Sequence, residues 1–90
     1  MQKIKVRVYV NLRESILDPQ GKAVEKGLRK LGFDDVEGVR IGKMIELIFP
    51  AETDMNSLGE KVKRMCGMLL VNEVMEDYRF EIVREDEAVI

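Results

Sequence analysis

Ninety residues with 46% hydrophobic and 36% charged side chains, at a net charge of −2, have the composition of one soluble globular domain over residues 1–90. The sequence has no histidine, and its one cysteine, Cys66, has no partner for an internal disulfide, which excludes a zinc site and Cys-His chemistry. No apolar run approaches the roughly 18 residues of a membrane span, and the N-terminus lacks a signal peptide's apolar core, so we expect a cytoplasmic protein without a membrane partner.

A strict alternation of apolar and polar side chains marks the first strand. The apolar positions are Ile4, Val6, Val8 and Val10, and the polar positions are Lys3, Lys5, Arg7 and Tyr9. This period of two predicts a strand with one buried and one solvated face. Sheets that bind single-stranded nucleic acid need roughly two or three exposed aromatic rings, and this acidic chain has no strong basic stripe, so we expect no nucleic-acid partner.

Residues 17–32 carry helix signals at both ends. Asp18 is suited to cap the first turn, Pro19 fits the first helical position, and Gly32 offers the left-handed residue that ends a helix. An apolar stripe at helical spacing predicts that one face of the helix turns inward. The members of this stripe are Val24, Leu28 and Leu31.

Two glycines, Gly21 and Gly27, lie inside this predicted helix, where each costs roughly 1 kcal/mol relative to alanine. Two interpretations stay open at this point. Either the helix tolerates the cost, or another backbone or a partner chain approaches so closely that a Cβ atom has no room.

Within residues 39–49, apolar side chains occupy every odd-numbered position except 43, which is Lys43. The positions that share this face are Val39, Ile41, Ile45, Leu47 and Phe49. A two-residue hairpin at 42–43 would turn Glu46 toward the core, so that register is disfavoured. Two arrangements keep the face: one long strand bent at Gly42, which we favour, or a hairpin with a three-residue loop over 42–44.

Pro50 ends this strand, and Thr53 or Asp54 can cap a second helix. A capping box of Ser57 and Glu60 competes with that start. An apolar seam then predicts a helix to about residue 70 that packs as core. The seam consists of Met55, Leu58, Val62, Met65 and Leu69, widened by Cys66 and Met68. After a turn at 72–73, alternation over 78–83 predicts a final strand.

The element order is therefore β-α-β-α-β, with the middle strand long and bent or split. Helices of this length over a small sheet form a two-layer α+β sandwich, and they leave one sheet face uncovered. The sequence contains neither of the glycine-rich phosphate-binding motifs, and its clustered carboxylates match no calcium-loop spacing. We expect no catalytic residue, no metal site and no cofactor in this chain.

Charge is unevenly spread along the sequence. Residues 1–45 hold ten Lys/Arg and six Asp/Glu, whereas residues 46–90 hold five and eleven. Oppositely charged halves either favour contacts between chains or simply keep the surface solvated.

Three motifs follow one another along the chain: the helix start Asp-Pro-Gln-Gly at 18–21, the strand Val-Arg-Ile-Gly-Lys at 39–43, and the entry to the last strand at 72–78. Each motif is unspecific by itself, but together they span most of the chain. In this order and at these separations they resemble the PurS family, the small subunit of phosphoribosylformylglycinamidine synthase.

The resemblance implies a PurS-like fold and a non-catalytic subunit that joins a glutaminase subunit (PurQ) to a synthetase subunit (PurL), and that is itself a homodimer or tetramer. The assembly converts formylglycinamide ribonucleotide to formylglycinamidine ribonucleotide in purine biosynthesis. The glutaminase releases ammonia from glutamine, and the synthetase partner uses ATP and Mg²⁺ to activate the amide that ammonia attacks.

Six residues of these motifs lack core character, and we predict that they lie at subunit contacts. They are Gly21, Lys22, Arg40, Lys43, Asn72 and Tyr78. The alternative function is a small-molecule-sensing regulatory domain of ferredoxin-like topology, which needs a split middle strand and a pocket at a dimer interface.

Overall fold

The computed structural model describes residues 3–84, which form a three-stranded sheet and two α-helices. In chain order the elements are β1 (Lys3–Leu12), α1 (Pro19–Lys30), β2 (Gly42–Pro50), α2 (Met55–Met65), a π-helical turn (Cys66–Leu70) and β3 (Glu76–Arg84). Strand β1 is central in the order β2-β1-β3, and both pairings are antiparallel. The predicted α+β class and the β-α-β-α-β order are confirmed.

The core lies between one face of the sheet and α2. The four alternating apolar residues of β1 are at most 1% exposed, as their period of two predicted. Val8 pairs with Ile45 on one side and with Phe80 on the other, so this row of the sheet presents three apolar side chains to the core. The buried residues that close the core from the helical side are Leu58, Val62 and Cys66. Each fully buried side chain of this size contributes about 1.5–3 kcal/mol.

Strand β2 is continuous from Gly42 to Pro50, so the hairpin alternative is wrong, and the favoured long strand is present only from Gly42 onward, because residues 39–41 form no strand. It begins at Gly42, opposite Asn11, and residues 39–41 precede it. A Cβ atom at position 42 would collide with the Asn11 side chain, so glycine permits the close pairing of the strands at this point. The predicted parity is confirmed for Ile45, Leu47 and Phe49, which pack against the core, whereas Val39 and Ile41 precede the strand and are not among the residues of the core.

Residues 13–41, which we call the arm, leave the sheet and return to it at the same end, because Asn11 of β1 pairs with Gly42 of β2. The arm contains α1, whose predicted limits are confirmed. Asp18 caps the helix, Pro19 is its first residue, and Gly32 beyond its end has a φ of 98°. No residue of the arm belongs to the buried apolar core. The molecule is accordingly long and flat, with extents of 50 × 34 × 15 Å.

The prediction that the apolar stripe of α1 turns inward is wrong. Val24 is 42% exposed and Leu31 is 76% exposed, and only Leu28 is half-buried. The buried residues of the helix are instead Gly21 and Glu25, which lie on a different side. Helical spacing identified a real apolar face, but this face stays exposed in the part of the chain that the structure describes.

The second helical segment reaches residue 70, as predicted, through the π-helical turn that follows α2. Asp54, one of the predicted alternatives, caps its start. The Val71 N–H donates to the Cys66 carbonyl at 3.0 Å, and this i to i−5 bond adds one residue to the turn. The extra residue rotates the end of the predicted seam outward, so Met68 and Leu69 are exposed rather than buried.

Candidate subunit-contact surface

Asp18 holds the base of the arm together. This residue is 4% exposed, and its carboxylate accepts the Gly21 N–H at 2.9 Å and the Ile41 N–H at 2.7 Å. The first bond caps α1, and the second ties the returning chain to the start of the helix. The two N–H donors lower the pKa of Asp18, because they stabilise the charged carboxylate. One side chain thus connects the two ends of the arm.

Arg40 fastens the same junction from the returning chain. Its guanidinium donates to the carbonyl oxygens of Leu12 at 3.0 Å, Arg13 at 2.7 Å and Ile16 at 3.3 Å. All three acceptors lie at or beyond the end of β1 and before α1. The bonds of Arg40 in this chain are therefore internal, and its predicted role at a subunit contact stays a prediction.

Gly21 is buried where α1 meets the returning chain. A Cβ atom at this position would collide with the carbonyl oxygen of Val39. For Gly21 the structure supports the second of the two interpretations, close approach of another backbone, and that backbone belongs to the same chain. At Gly27, by contrast, an added Cβ atom would meet nothing within 4 Å.

Three further predicted contact residues gather at the end of the sheet from which the arm leaves. The Lys43 ammonium lies 3.9 Å from the Glu76 carboxylate, and Glu76 also accepts the Asn72 N–H at 2.8 Å. Tyr78 pairs with Val10 and packs half-buried against the core, and burial raises its pKa. Lys43, Asn72 and Tyr78 therefore lie at one end of the sheet.

A cleft of about 380 Å³ connects this end of the sheet to the start of α1. Asp18 and Ile41 line it from the arm, and Lys43 and Glu76 line it from the sheet. Lys22 lies on the exposed side of α1, with its ammonium 3.9 Å from the Glu25 carboxylate. Of the six predicted contact residues, Lys43 lines this cleft, and Lys22 and Arg40 line a second cleft of about 400 Å³. We call the combined surface of the six residues the base surface, and their role in subunit contacts stays a prediction.

The face of the sheet opposite α2 carries ion-paired polar side chains, together with the exposed apolar side chains of Met44 and Ile48. The Arg7 guanidinium lies 3.4 Å from Glu46 and 3.9 Å from Glu81. The Tyr9 hydroxyl donates to Glu81 at 2.8 Å, and this bond raises the pKa of Tyr9. The Arg79 guanidinium lies 4.3 Å from the centroid of the Tyr9 ring. Because Tyr9 is engaged at both its ring and its hydroxyl, it is a poor platform for stacking nucleobases.

Sequence reasoning missed two exposed apolar patches. The first is on the arm and consists of Leu17, Val24, Leu31 and Phe33. The second follows α2 and consists of Met68, Leu69, Val74 and Met75. Of these residues, Val24, Leu31, Met68 and Leu69 had been assigned to the core by helical spacing. The length of the chain could have indicated these patches, because a domain of 90 residues buries too little surface to cover two amphipathic helices completely.

The base surface presents polar and charged side chains, and the chain also exposes large apolar ones. The sequence has no histidine, and Cys66 is buried in the core, where burial raises the pKa of its thiol and suppresses the reactive thiolate. Within residues 3–84 no group of three or more Cys, Asp and Glu side chains is placed to hold a metal ion. Exposed apolar patches beside a polar edge are typical of interaction sites. Fold and surface together define a small subunit that makes contacts with other chains.

The comparisons with known proteins agree with this class. The family model described as PurS, phosphoribosylformylglycinamidine (FGAM) synthase, matches residues 5–84. The chain is 51% identical over 79 residues to the PurS subunit from Bacillus subtilis, covering 87% of this chain and 90% of that one. It is 49% identical over 83 residues to the PurS subunit from Synechocystis, covering 92% and 82%. The chain belongs to the PurS family of FGAM synthase, and the resemblance stated above is confirmed.

Solved structures show the same fold. A chain of the PurLQS structure from Thermotoga maritima matches with a TM-score of 0.79 at 34% identity, covering 92% of this chain and all of that one. A crystal structure of Bacillus subtilis PurS matches with a TM-score of 0.72 at 49% identity, covering 89% and 98%. The sensing-domain alternative is not favoured, because β2 is unsplit and these matches are to PurS. Residues 3–84 include no helix long and apolar enough to cross a membrane.

Proposed function

We propose that this chain is the non-catalytic subunit that joins the glutaminase and synthetase subunits of FGAM synthase, acting in the cytoplasm as a homodimer or tetramer. The observation that carries the proposal is the match, over 92% of this chain, to a chain of the PurLQS structure. The lack of histidine and the burial of Cys66 support a role without chemistry of its own.

In this role the chain supports ammonia transfer in purine biosynthesis. The glutaminase (PurQ) releases ammonia from glutamine, and the synthetase (PurL) consumes it to convert formylglycinamide ribonucleotide to formylglycinamidine ribonucleotide. Free ammonia at neutral pH is mostly protonated and escapes to solvent, so the two active sites must be held together and closed to water. ATP and Mg²⁺ belong to the synthetase partner, and this chain needs no cofactor.

We assign the partner contacts to the base surface. Its residues that are at least partly exposed are Lys22, Arg40, Lys43, Asn72 and Tyr78. Gly21 and Arg40 contribute to the same contacts by fixing the arm, because the one allows the close approach to Val39 and the other binds three carbonyl oxygens. A polar rim beside apolar patches has the composition of interfaces between subunits.

Reconstitution from purified subunits tests the proposal. Glutaminase and synthetase subunits are assayed with and without this chain, once with glutamine and once with ammonium chloride as nitrogen donor. We expect glutamine-dependent synthesis to require the chain and ammonium-dependent synthesis to proceed without it. Equal glutamine-dependent rates in its absence would overturn the proposal.

A matched pair of variants then tests the base surface. Lys43→Glu should lower the glutamine-dependent rate and leave the ammonium-dependent rate unchanged. Lys63→Glu is the control, because Lys63 is also exposed but lies on α2, away from the base surface. Equal effects of the two substitutions would remove Lys43 from the contact surface.

A further inference from the structure

We infer that Arg13 is a positioning residue, which fixes the arm relative to the turn of residues 72–75 so that the base surface holds both partner subunits in one geometry. The inference rests on the proposed function and deepens it, because it names a residue on which the transfer of ammonia depends. Arg13 begins the arm directly after β1, and the 72–75 turn joins the π-helical turn to β3.

The base surface is divided between elements that the apolar core does not join. Lys22 belongs to the arm, and Asn72 belongs to the 72–75 turn. In the part of the chain that the structure describes, neither the arm nor this turn contributes a residue to the buried core. Their relative position is therefore set by hydrogen bonds, which are directional.

Arg13 makes the hydrogen bonds that join the arm to the turn. Its backbone N–H donates to the Met75 carbonyl at 2.9 Å, and its guanidinium donates to the Glu73 carbonyl. Within residues 3–84 no other hydrogen bond connects the arm to the 72–75 turn. Because one bond leaves from the main chain and the other from the side chain, together they restrain the orientation of the turn as well as its distance.

The same residue is held from the side of the arm. The Arg13 carbonyl accepts the Arg40 guanidinium at 2.7 Å and the Ile16 N–H at 2.9 Å. Arg40 comes from the end of the arm, so Arg13 connects the returning chain to the turn through its own backbone. The bonds to the Asp18 carboxylate close the arm independently of the Arg13 side chain. Removing that side chain therefore loosens the turn and leaves the base of the arm closed.

The 72–75 turn is braced internally, so it moves as one unit. The Val74 N–H donates to the Asn72 side chain at 3.1 Å, and the Met75 N–H donates to the Asn72 carbonyl at 3.0 Å. The Asn72 N–H donates to the Glu76 carboxylate at 2.8 Å. Without the side chain of Arg13, the whole turn would shift relative to the arm, and Asn72 would shift with it.

Such a shift acts on the coupling of the two partner subunits. A misplacement of about 1 Å between reacting groups costs on the order of 10²-fold in rate. A subunit that joins two others through two elements passes any change in the angle between these elements on to both active sites. Ammonia from a misaligned glutaminase escapes to solvent, so glutamine is hydrolysed without product. The expected signature is a raised ratio of glutamine hydrolysed to product formed.

The stoichiometry of reconstituted synthesis tests the inference. Full-length chains are added at saturation to glutaminase and synthetase subunits, and glutamate and product are measured in the same reaction. We expect Arg13→Ala to raise the ratio of glutamate to product about threefold. Arg64→Ala is the control, because Arg64 is an exposed arginine of α2, and it should leave the ratio unchanged. Equal ratios for Arg13→Ala and the unsubstituted chain would overturn the inference.

A distance measurement on the chain alone does not depend on the partner subunits. Spin labels at Lys26→Cys and Val74→Cys report the distance between the arm and the turn, in chains diluted with unlabelled copies. Both positions are exposed, whereas Cys66 is buried and escapes labelling. Arg13→Ala should about double the width of the distance distribution, because the turn is released from the arm.

A second labelled pair supplies the control. Ile48→Cys and Arg64→Cys lie on β2 and α2, outside both the arm and the turn, and Arg13→Ala should not broaden their distribution. Equal broadening of the two pairs, or broadening of neither, refutes the positioning role. If the unsubstituted chain proves unnecessary for glutamine-dependent synthesis, the proposed function fails, while the labelled pairs still decide whether Arg13 positions the turn. A required chain in which Arg13→Ala changes neither measurement refutes the inference and leaves the proposed function standing.

Discussion

The sheet with α2 and the arm are two regions of one small chain that are held by different forces. Among the residues that the structure describes, seven side chains with less than 2% exposure hold the sheet against α2, and all of them are apolar or cysteine. Within the described residues, five hydrogen bonds close the base of the arm, two to the Asp18 carboxylate and three from the Arg40 guanidinium, and Arg13 joins the arm to the carbonyls of Glu73 and Met75. The first region is stabilised by burial, and the second is positioned by directional polar contacts.

This difference explains why the arm is suited to contact. Hydrogen bonds at its base fix the direction in which α1 leaves the sheet, while the apolar side chains that would have bound it to the core remain exposed. A helix that packed on its own sheet would bury these apolar side chains within the chain, and they could not contact another subunit. We expect the arm to open at a lower free energy than the core, because it buries few apolar contacts of its own.

The largest expected effect is on the free energy of unfolding, when one leucine of each region is replaced by alanine. Leu58→Ala should lower the free energy of unfolding by about 2–5 kcal/mol, because Leu58 is fully buried and its loss leaves a cavity. Leu31→Ala should change it by no more than about 0.5 kcal/mol. Urea unfolding at a concentration where the chain is monomeric measures both. Similar losses for the two variants would show that α1 belongs to the core after all.

The second prediction concerns the two glycines of α1, whose substitutions should have opposite signs. Gly21→Ala should destabilise the chain by about 1–3 kcal/mol, because its Cβ atom would push against the Val39 carbonyl. Gly27→Ala should stabilise the single chain by up to about 1 kcal/mol, since the helix gains propensity and no atom lies in the way. Thermal unfolding followed by circular dichroism measures both, and a shared sign contradicts the prediction.

Much of the sheet and of both helices follows from local rules. Alternation in β1, the Asp18 cap and the positive φ of Gly32 depend on neighbours in sequence, and they were predicted correctly. Periodicity reports that a helix has an apolar face but not what covers it, so the exposure of Leu31 was not predictable from spacing. The π-helical turn was also hidden, because one backbone bond from Val71 to Cys66 decides it.

The candidate site was predictable only as a set of motifs. The six residues do not line one cleft, since Lys43 lines one and Lys22 and Arg40 line another, and Arg40 and Gly21 are engaged within the chain. Arg40 donates to backbone carbonyls of residues 12, 13 and 16, and Gly21 lies against the backbone carbonyl of Val39. The pattern of side chains in the sequence does not reveal contacts with backbone carbonyls. Residue type alone therefore could not separate a side chain that touches another subunit from one that shapes the surface.

The third prediction is a smaller effect: the stability that Asp18 gives to the arm should depend on pH. The pKa of Asp18 is lowered in the folded chain, so its charged form adds stability above its unfolded pKa of about 4. As the pH falls below that value and through the lowered folded pKa, this contribution is lost. Asp18→Asn should therefore be less stable than the unsubstituted chain at pH 7, with the gap closing below about pH 4. Amide exchange in α1 across this range measures the gap.

Leu58→Ala serves as the control for this series, because it removes no titrating group and its deficit relative to the unsubstituted chain should not vary with pH in the same way. A gap for Asp18→Asn that stays constant down to pH 2 would mean that the carboxylate's charge does not hold the arm.

The smallest expected effect on folding is that of Lys43→Ala. The Lys43 ammonium and the Glu76 carboxylate are 3.9 Å apart and Lys43 is more than half exposed, so solvent screens the pair and its loss should cost less than about 0.5 kcal/mol. The same substitution should weaken assembly with the partner subunits, measured by co-elution on a sizing column. A loss of stability as large as that of Gly21→Ala would instead show that Lys43 helps to position the arm. The polar contacts that hold the arm would then include a residue of the sheet, in addition to Asp18 and Arg40.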